Sequence, residues 1–389
     1  MNQFAFARQA ILNRDLKIFG YELLYRNTDQ TNNSPPITSD VLASALLDLG
    51  LKSTTNDLPA FVNMSYDDLT NDTLSALPKD GLILEILEDI TPSTELNHHI
   101  QQLSNEGFTF ALDDFVYTPE WDTLIELASI IKFDLTVTSF EENKALINKL
   151  KNKNITFLAE KVETYEEYQQ YLDIGCDLFQ GFFFCKPEII KGASASANSP
   201  AKIKLIAGVN QPDISIDSLV SAVEQDPNLT LLLLKYLNSA QFSFPNPVEK
   251  IKQAVVVLGI NGMKRWVTLL SLRSYSSKPT ELMRTALVRA KLAELIAIKM
   301  KHTNPDSYFL AGLLSTIDAF TNESITSTIS SMNLDPSIND ALIYGKGEMG
   351  ATLTSITQHE KNLDSAHANE IASNYPAACI WADEIMQSF

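Results

Sequence analysis

Strand-helix alternation in the first half of the chain, and its loss in the second, predict an α/β barrel joined to an all-helical domain. Up to about Pro187, short runs rich in Ile, Leu, Phe and Val alternate with longer amphipathic stretches. Repeated many times, that pattern calls for a parallel sheet, and the number of repeats suits a closed barrel. From Lys191 to Ser199 the residues turn small and flexible, which predicts a linker over 191–200. The expected division is a barrel over 1–190 and a helical domain over 201–389.

Element by element, the predicted strands include Ala60 to Asn63, Gly81 to Ile86, Phe108 to Leu112, Ile130 to Phe133 and Thr156 to Ala159. Helical period fills the gaps at Glu95 to Asn105, Phe140 to Lys153 and Thr164 to Ile174. After the linker, Asp226-Pro227 reads as an N-cap followed by proline in the first turn, leading a helix through Leu229, Leu233 and Leu237. Ile251 to Leu258 forms another helix with Gly259 as its stop, Met263 to Leu272 a third, and Leu282 to Met300 a long fourth.

Composition narrows the function. The 389 residues carry 48 Asp and Glu against 30 Lys and Arg, a formal net charge of -18, so nucleic acid and anionic membrane surfaces are repelled by the average surface. A small phosphate ligand remains allowed, because a metal ion or a local arginine reverses the field inside a pocket. Cys176, Cys185 and Cys379 have neither zinc-like spacing nor the density of a disulfide framework. With no signal-like start and no segment expected to approach the roughly 18 apolar residues of a membrane span, a cytoplasmic protein is expected.

Chemistry gathers in short pieces where acids stand in or against apolar runs: Tyr21 to Arg26, Leu84 to Glu88, Ala111 to Phe115 and Ala159 to Glu163. A carboxylate in such a run is costly unless it is hydrogen-bonded, paired or metal-bound. Taken singly, Glu22 reads as a surface acid, Asp113-Asp114 as a strand end with a helix cap, and Glu85 as the polar side of a helix. Their order is more specific, because they recur with Asn63, Lys132 and Gln180, each in a similar strand-end setting.

That series resembles the EAL domain, the cyclic di-GMP phosphodiesterase family of bacterial signalling, a TIM-like barrel, over roughly residues 1 to 190. The resemblance implies that Glu22, Asn63, Glu85 and Asp113 hold one Mg or Mn ion, with Asp113, Asp114 and Glu160 around a second. It implies that Lys132 orients or deprotonates the attacking water, that Gln180 supports the water or metal shell, and that Arg26 grips a phosphate of the dinucleotide. Glu88 matches a glutamate that holds the loop after Asp114. Hard oxygen donors and a phosphate-binding arginine suit that chemistry. The sequence departs from the family where Phe-Gly-Thr-Gly usually follows the two aspartates. Here it is Phe115-Val116-Tyr117-Thr118, and Val and Tyr do not readily take the positive φ open to glycine. Glu-Ala-Leu is Glu22-Leu23-Leu24, and the glycine usual after Glu160 is Lys161, a cation expected to compete with metal.

The second half resembles the HDOD domain, a helical relative of the HD phosphohydrolases, best up to about residue 320. The family's hydrolytic relatives need adjacent His-Asp after an apolar helix, whereas Leu313-Leu314 is followed here by Ser315-Thr316-Ile317-Asp318. A non-catalytic, protein-binding output module is implied, its partner unknown. Asn238 and Ser239 are expected to cap a helix end or make a packed polar contact.

Two functions fit this reading. One is a cyclic di-GMP regulator whose barrel binds metal and nucleotide and hydrolyses it to the linear dinucleotide. The other is a scaffold that has lost nucleotide recognition. The resemblance leaves a barrel homodimer open.

Overall fold

In a computed structural model of the protein, the residues described are 4–27, 55–71, 74, 77–186, 199–238, 247–275, 278–361 and 367–387. They form two compact units, Met1–Phe183 and Phe184–Phe389. The first contains eight strands in a closed barrel: β1 (Phe4–Asn13), β2 (Ile18–Asn27), β3 (Ala60–Met64), β4 (Leu82–Ile86), β5 (Thr109–Leu112), β6 (Ile130–Asp134), β7 (Thr156–Glu160) and β8 (Leu178–Gln180). β2 through β8 pair in parallel, as the alternation requires.

β1 departs from the all-parallel expectation and runs antiparallel to both neighbours. The cause is local: only four residues separate it from β2, too few for a parallel crossover. Asn13 closes this turn, its Oδ1 accepting from the Asp15 and Lys17 amides at 3.0 Å each.

Among the described residues, the α-helices of the barrel unit are α1 (Tyr66–Leu69), α2 (Thr94–Asn105), α3 (Asp122–Leu127), α4 (Phe140–Leu150) and α5 (Tyr165–Ile174). Four start on sequence-legible caps. The Ser65, Ser93, Ser139 and Thr164 side chains accept from backbone N–H groups of the first turn, and at Ser65, Ser139 and Thr164 an acidic residue three positions on completes a capping box.

Inside the barrel one layer of side chains is apolar: Ile11, Phe61, Ile83, Ala111, Ile130, Leu158 and Leu178. Strand side chains alternate faces, so the residue two positions on looks the same way. From Phe61, Ile83, Ala111, Ile130, Leu158 and Leu178 that step leads to Asn63, Glu85, Asp113, Lys132, Glu160 and Gln180. The polar set is therefore the next layer up, towards the C-terminal ends of the strands, resting on a dry floor.

The second unit is helical throughout its described residues: α6 (Ser199–Val209), α7 (Ile216–Glu224), α8 (Pro227–Leu237), α9 (Ile251–Arg273), α10 (Thr280–Lys299), α11 (Pro305–Leu314), α12 (Ile317–Thr321), α13 (Ile325–Ser331), α14 (Pro336–Tyr344), α15 (Gly347–Glu360) and α16 (Ala368–Gln387). Ser199 and Pro200 stand in the first turn of α6, inside the stretch expected as linker; residues 191–198 lie outside the described residues. Proline suits that turn because the first amides of a helix have no partner to lose. Gly259 breaks α9 with φ 71° and ψ 170°, where the sequence placed a stop.

α9 also corrects one expectation. Among the described residues it is the one helix long and apolar enough to cross a membrane. Its buried side chains, among them Ala254, Val255, Met263, Val267 and Leu270, belong to the core of the helical unit.

Candidate functional site

Lys132 stands at the centre of the polar layer and is wholly buried. Its Nζ meets Glu85 Oε1, Asp113 Oδ1 at 2.7 Å, Glu160 Oε1 at 2.6 Å and, farther off, Glu22 Oε2 at 3.9 Å. These ion pairs converge on one buried ammonium, and Glu85 is itself fully buried. Burial, reinforced by Glu22 and Asp113 and opposed by Lys132, pushes the Glu85 carboxyl well above the usual range. Burial alone would lower Lys132, but Glu22, Glu85 and Asp113 outweigh it and hold the ammonium charged.

Two amides fix Glu22. Asn63 Nδ2 donates to Oε1 at 3.4 Å and Gln180 Nε2 to Oε2 at 2.5 Å, with Gln180 also reaching Gln9 Oε1 at 3.1 Å. The amide oxygens of Asn63 and Gln180 are left buried with no hydrogen-bond partner. The structure thus brings Glu22, Asn63, Glu85, Asp113, Lys132, Glu160 and Gln180 into one cluster. Carboxylate oxygens of Glu85, Asp113 and Glu160 lie within 4.8 Å of one another, spacing that fits a single divalent cation.

Asp114 is not part of that group. Its Oδ2 lies 3.6 Å from Lys161 Nζ, and Lys161 also pairs with Asp134 Oδ2. Burial and the neighbouring Asp113 raise the Asp114 carboxyl to about 6 although Lys161 opposes them. Burial likewise works to raise Asp134, but Lys161 and the Thr136 hydroxyl and amide, both 2.6 Å from Oδ1, hold it below the usual range.

Asp134 was missed in the sequence reading. The signal was available: it ends the same strand as Lys132, two residues on, so it shares that face.

The rewritten loop takes its strain elsewhere than at Val116 or Tyr117. The positive φ falls on Asp114 (40°), and the position after Glu160 is also left-handed, Lys161 at 59°. Phe115 anchors the turn: its amide donates to Lys132 O at 2.9 Å and its ring meets Trp121 edge-on. Val116 is half exposed, and with Glu88, Asp113, Asp114, Phe115, Trp121 and Val137 it lines a pocket of about 240 Å³. Glu88 faces that pocket, yet among the described residues it makes no hydrogen bond or ion pair to the loop it was expected to hold. Arg26 belongs to β2, but its side chain lies outside the described residues.

In the helical unit, a buried guanidinium reaches Ser315, the residue that follows Leu313-Leu314. Arg289 pairs with Glu360 through Nε and Nη2, at 2.8 and 2.6 Å, and its Nη1 donates to Ser315 Oγ at 3.3 Å. Asn238 caps α8 and grips the chain beyond it, accepting from the Val248 amide at 2.7 Å and donating to its carbonyl at 2.8 Å. Ser239 lies outside the described residues.

Comparison with known proteins agrees with this anatomy. The EAL domain family matches residues 2–187 and the HDOD domain family residues 199–328. Uncharacterized protein YuxH of Bacillus subtilis is 31% identical over 406 residues, covering 98% of each chain. Cyclic di-GMP phosphodiesterase CdgJ of Vibrio cholerae is 31% identical over 360 residues, 89% of this chain and 82% of that one. Among solved structures, Klebsiella pneumoniae BlrP1 in its manganese and cyclic di-GMP complex is 22% identical with a TM-score of 0.38; the match covers 47% of this chain and 55% of that one. With both domains matched in order and two relatives aligned along most of its length, this chain belongs to the proteins that join an EAL domain to an HDOD domain.

Proposed function

We propose that the barrel binds a divalent cation, Mg or Mn, and with it cyclic di-GMP, and opens one phosphodiester of that ligand to give the linear dinucleotide. One observation carries the reading: Glu85, Asp113 and Glu160 crowd their carboxylates on a buried centre where a lone ammonium is their counter-ion. The relative named as a cyclic di-GMP phosphodiesterase supports the choice of ligand. A divalent ion bound there supplies charge to a phosphodiester oxygen and acidifies water. Glu85, Asp113 and Glu160 are its donors, with Glu22 and the Asn63 amide oxygen beside them. Lys132, charged and without a free lone pair, orients water and balances charge; it does not remove a proton. Gln180 keeps Glu22 in place, and Arg26 is the phosphate grip. The helical domain, with Ser315 and Thr316 in place of His-Asp, passes the bound state to a protein partner in the cytoplasm.

The test is calorimetry and chromatography with purified full-length protein. With Mn or Mg, cyclic di-GMP binds and linear product accumulates, and Glu22→Ala or Glu85→Ala weakens metal-dependent binding at least tenfold. If neither heat nor product appears at any divalent concentration, the barrel is a scaffold. The pairing of Asp114 and Asp134 with Lys161 is the observation that favours this second reading.

A further inference from the structure

Six carboxylates face the barrel mouth, and two lysines divide them. Lys132 takes Glu22, Glu85, Asp113 and Glu160, while Lys161 takes Asp114 and Asp134. From this division we infer that the mouth accepts one divalent cation, at Glu85, Asp113 and Glu160, and that Lys161 is a tethered cation which holds Asp114 and Asp134 out of the ligand set. The inference rests on the metal-binding reading above and narrows it, replacing the two-ion arrangement implied by the family resemblance.

Three features keep Lys161 in this role. The first is register: Asp134 pairs with Glu160 across β6 and β7, so the residue after Glu160 emerges beside Asp134. The second is saturation of the partner. Asp134 Oδ1 already accepts from the Thr136 amide and hydroxyl, which fixes the carboxylate and presents Oδ2 to the ammonium. The third is the backbone. Lys161 is left-handed, and the next residue is clamped on both sides, the Val162 amide donating to Gln180 O at 3.0 Å and its carbonyl accepting from the Phe183 amide at 3.2 Å. The Lys161 ammonium then sits between the end of β6 and the loop that carries Asp114, on the carboxylate oxygens a second ion would need.

Counting bound Mn decides the matter without any activity measurement. Full-length protein, freed of metal and equilibrated with excess Mn, is dialysed and the bound ion measured by mass spectrometry and electron paramagnetic resonance. The expected result is one Mn per chain. Lys161→Gly, which relieves the left-handed backbone, and Lys161→Asn, which tolerates it, each raise the count to two, with dipolar broadening from a neighbouring ion. Two ions in the parent protein, or one in both variants, overturns the inference. No bound Mn in any of them instead overturns the metal-binding reading on which it stands. Using two variants guards against a folding failure in either.

Discussion

Among the described residues Lys132 supplies the only ammonium to a cluster of four carboxylates, and replacing it by Met removes that charge while keeping a side chain of similar length. Breaking a buried ion pair from one side costs about 3–5 kcal/mol, because the remaining charge is stranded. A second route caps that figure. A stranded carboxylate can take up a proton, at about 1.36 kcal/mol for each pH unit above its ordinary value near 4.3, so about 4 kcal/mol per carboxyl at pH 7 and about 1 kcal/mol at pH 5. Glu85 is the one to protonate first, since burial already pushes it up. Its folded value lies above its unfolded value, so its contribution is fully present below about 4.3 and is lost as pH rises through the raised folded value. The variant should therefore lose roughly 3–4 kcal/mol at pH 7 without metal, and recover most of that loss at pH 5 or on adding Mn.

Because the chain has two units, one unfolding curve would mix them. Hydrogen exchange of peptides covering β4 and β6 isolates the barrel. At pH 7, a 3 kcal/mol loss raises globally limited exchange there about a hundredfold. A Lys132→Met protein whose β4 and β6 exchange as slowly as the parent's at pH 7, metal-free, would refute the claim that Lys132 balances this charge.

Two further outcomes follow from the helical unit and from the division between units. Arg289→Met strands Glu360, and the helical unit should lose about 3 kcal/mol, read by hydrogen exchange of peptides covering α10 and α15; adding Glu360→Leu should restore most of it, since removing both charges leaves nothing stranded. A double variant as unstable as the single would show that packing, not charge, is at stake. Cleavage near Ser194 should give two soluble pieces, one with mixed α/β and one with helical circular dichroism, and failure of both to fold alone would count against two domains.

The floor of the barrel was legible because parity is legible. Phe61 with Asn63, Ile83 with Glu85 and Leu158 with Glu160 each place an apolar residue two steps before a polar one, and period two in a strand fixes the face they share. What escaped the sequence had no period to show. β8 is three residues long, too short to display alternation. The reversal of β1 depends on a four-residue turn, not on the strand itself. Asp134 is the exception, since it shares the parity of Lys132 and lies one residue beyond the predicted end of that strand. Lys161 was recognised as a misplaced cation, but its choice of Asp134 over the central cluster depends on the β6–β7 register, which follows only from the assembled barrel.

The same charge arithmetic ties nucleotide to metal. If all four carboxylates around Lys132 are ionised, the centre carries three uncompensated negative charges, and a cyclic dinucleotide brings two phosphodiesters with one negative charge each. Repulsion in a buried site is screened little by salt, so the apo mouth resists the ligand that the ion-loaded mouth attracts. Metal and nucleotide should therefore bind with positive coupling, and linkage makes that coupling reciprocal: the factor by which Mn tightens cyclic di-GMP equals the factor by which cyclic di-GMP tightens Mn. Coupling of this origin is typically 1–3 kcal/mol, about 5- to 150-fold. Mn titrations with and without nucleotide, analysed at early times before turnover, measure one side of the cycle, and nucleotide titrations with and without Mn the other. Equal affinities with and without Mn would mean that the nucleotide binds away from the carboxylates, leaving the buried cluster as a structural device of the barrel.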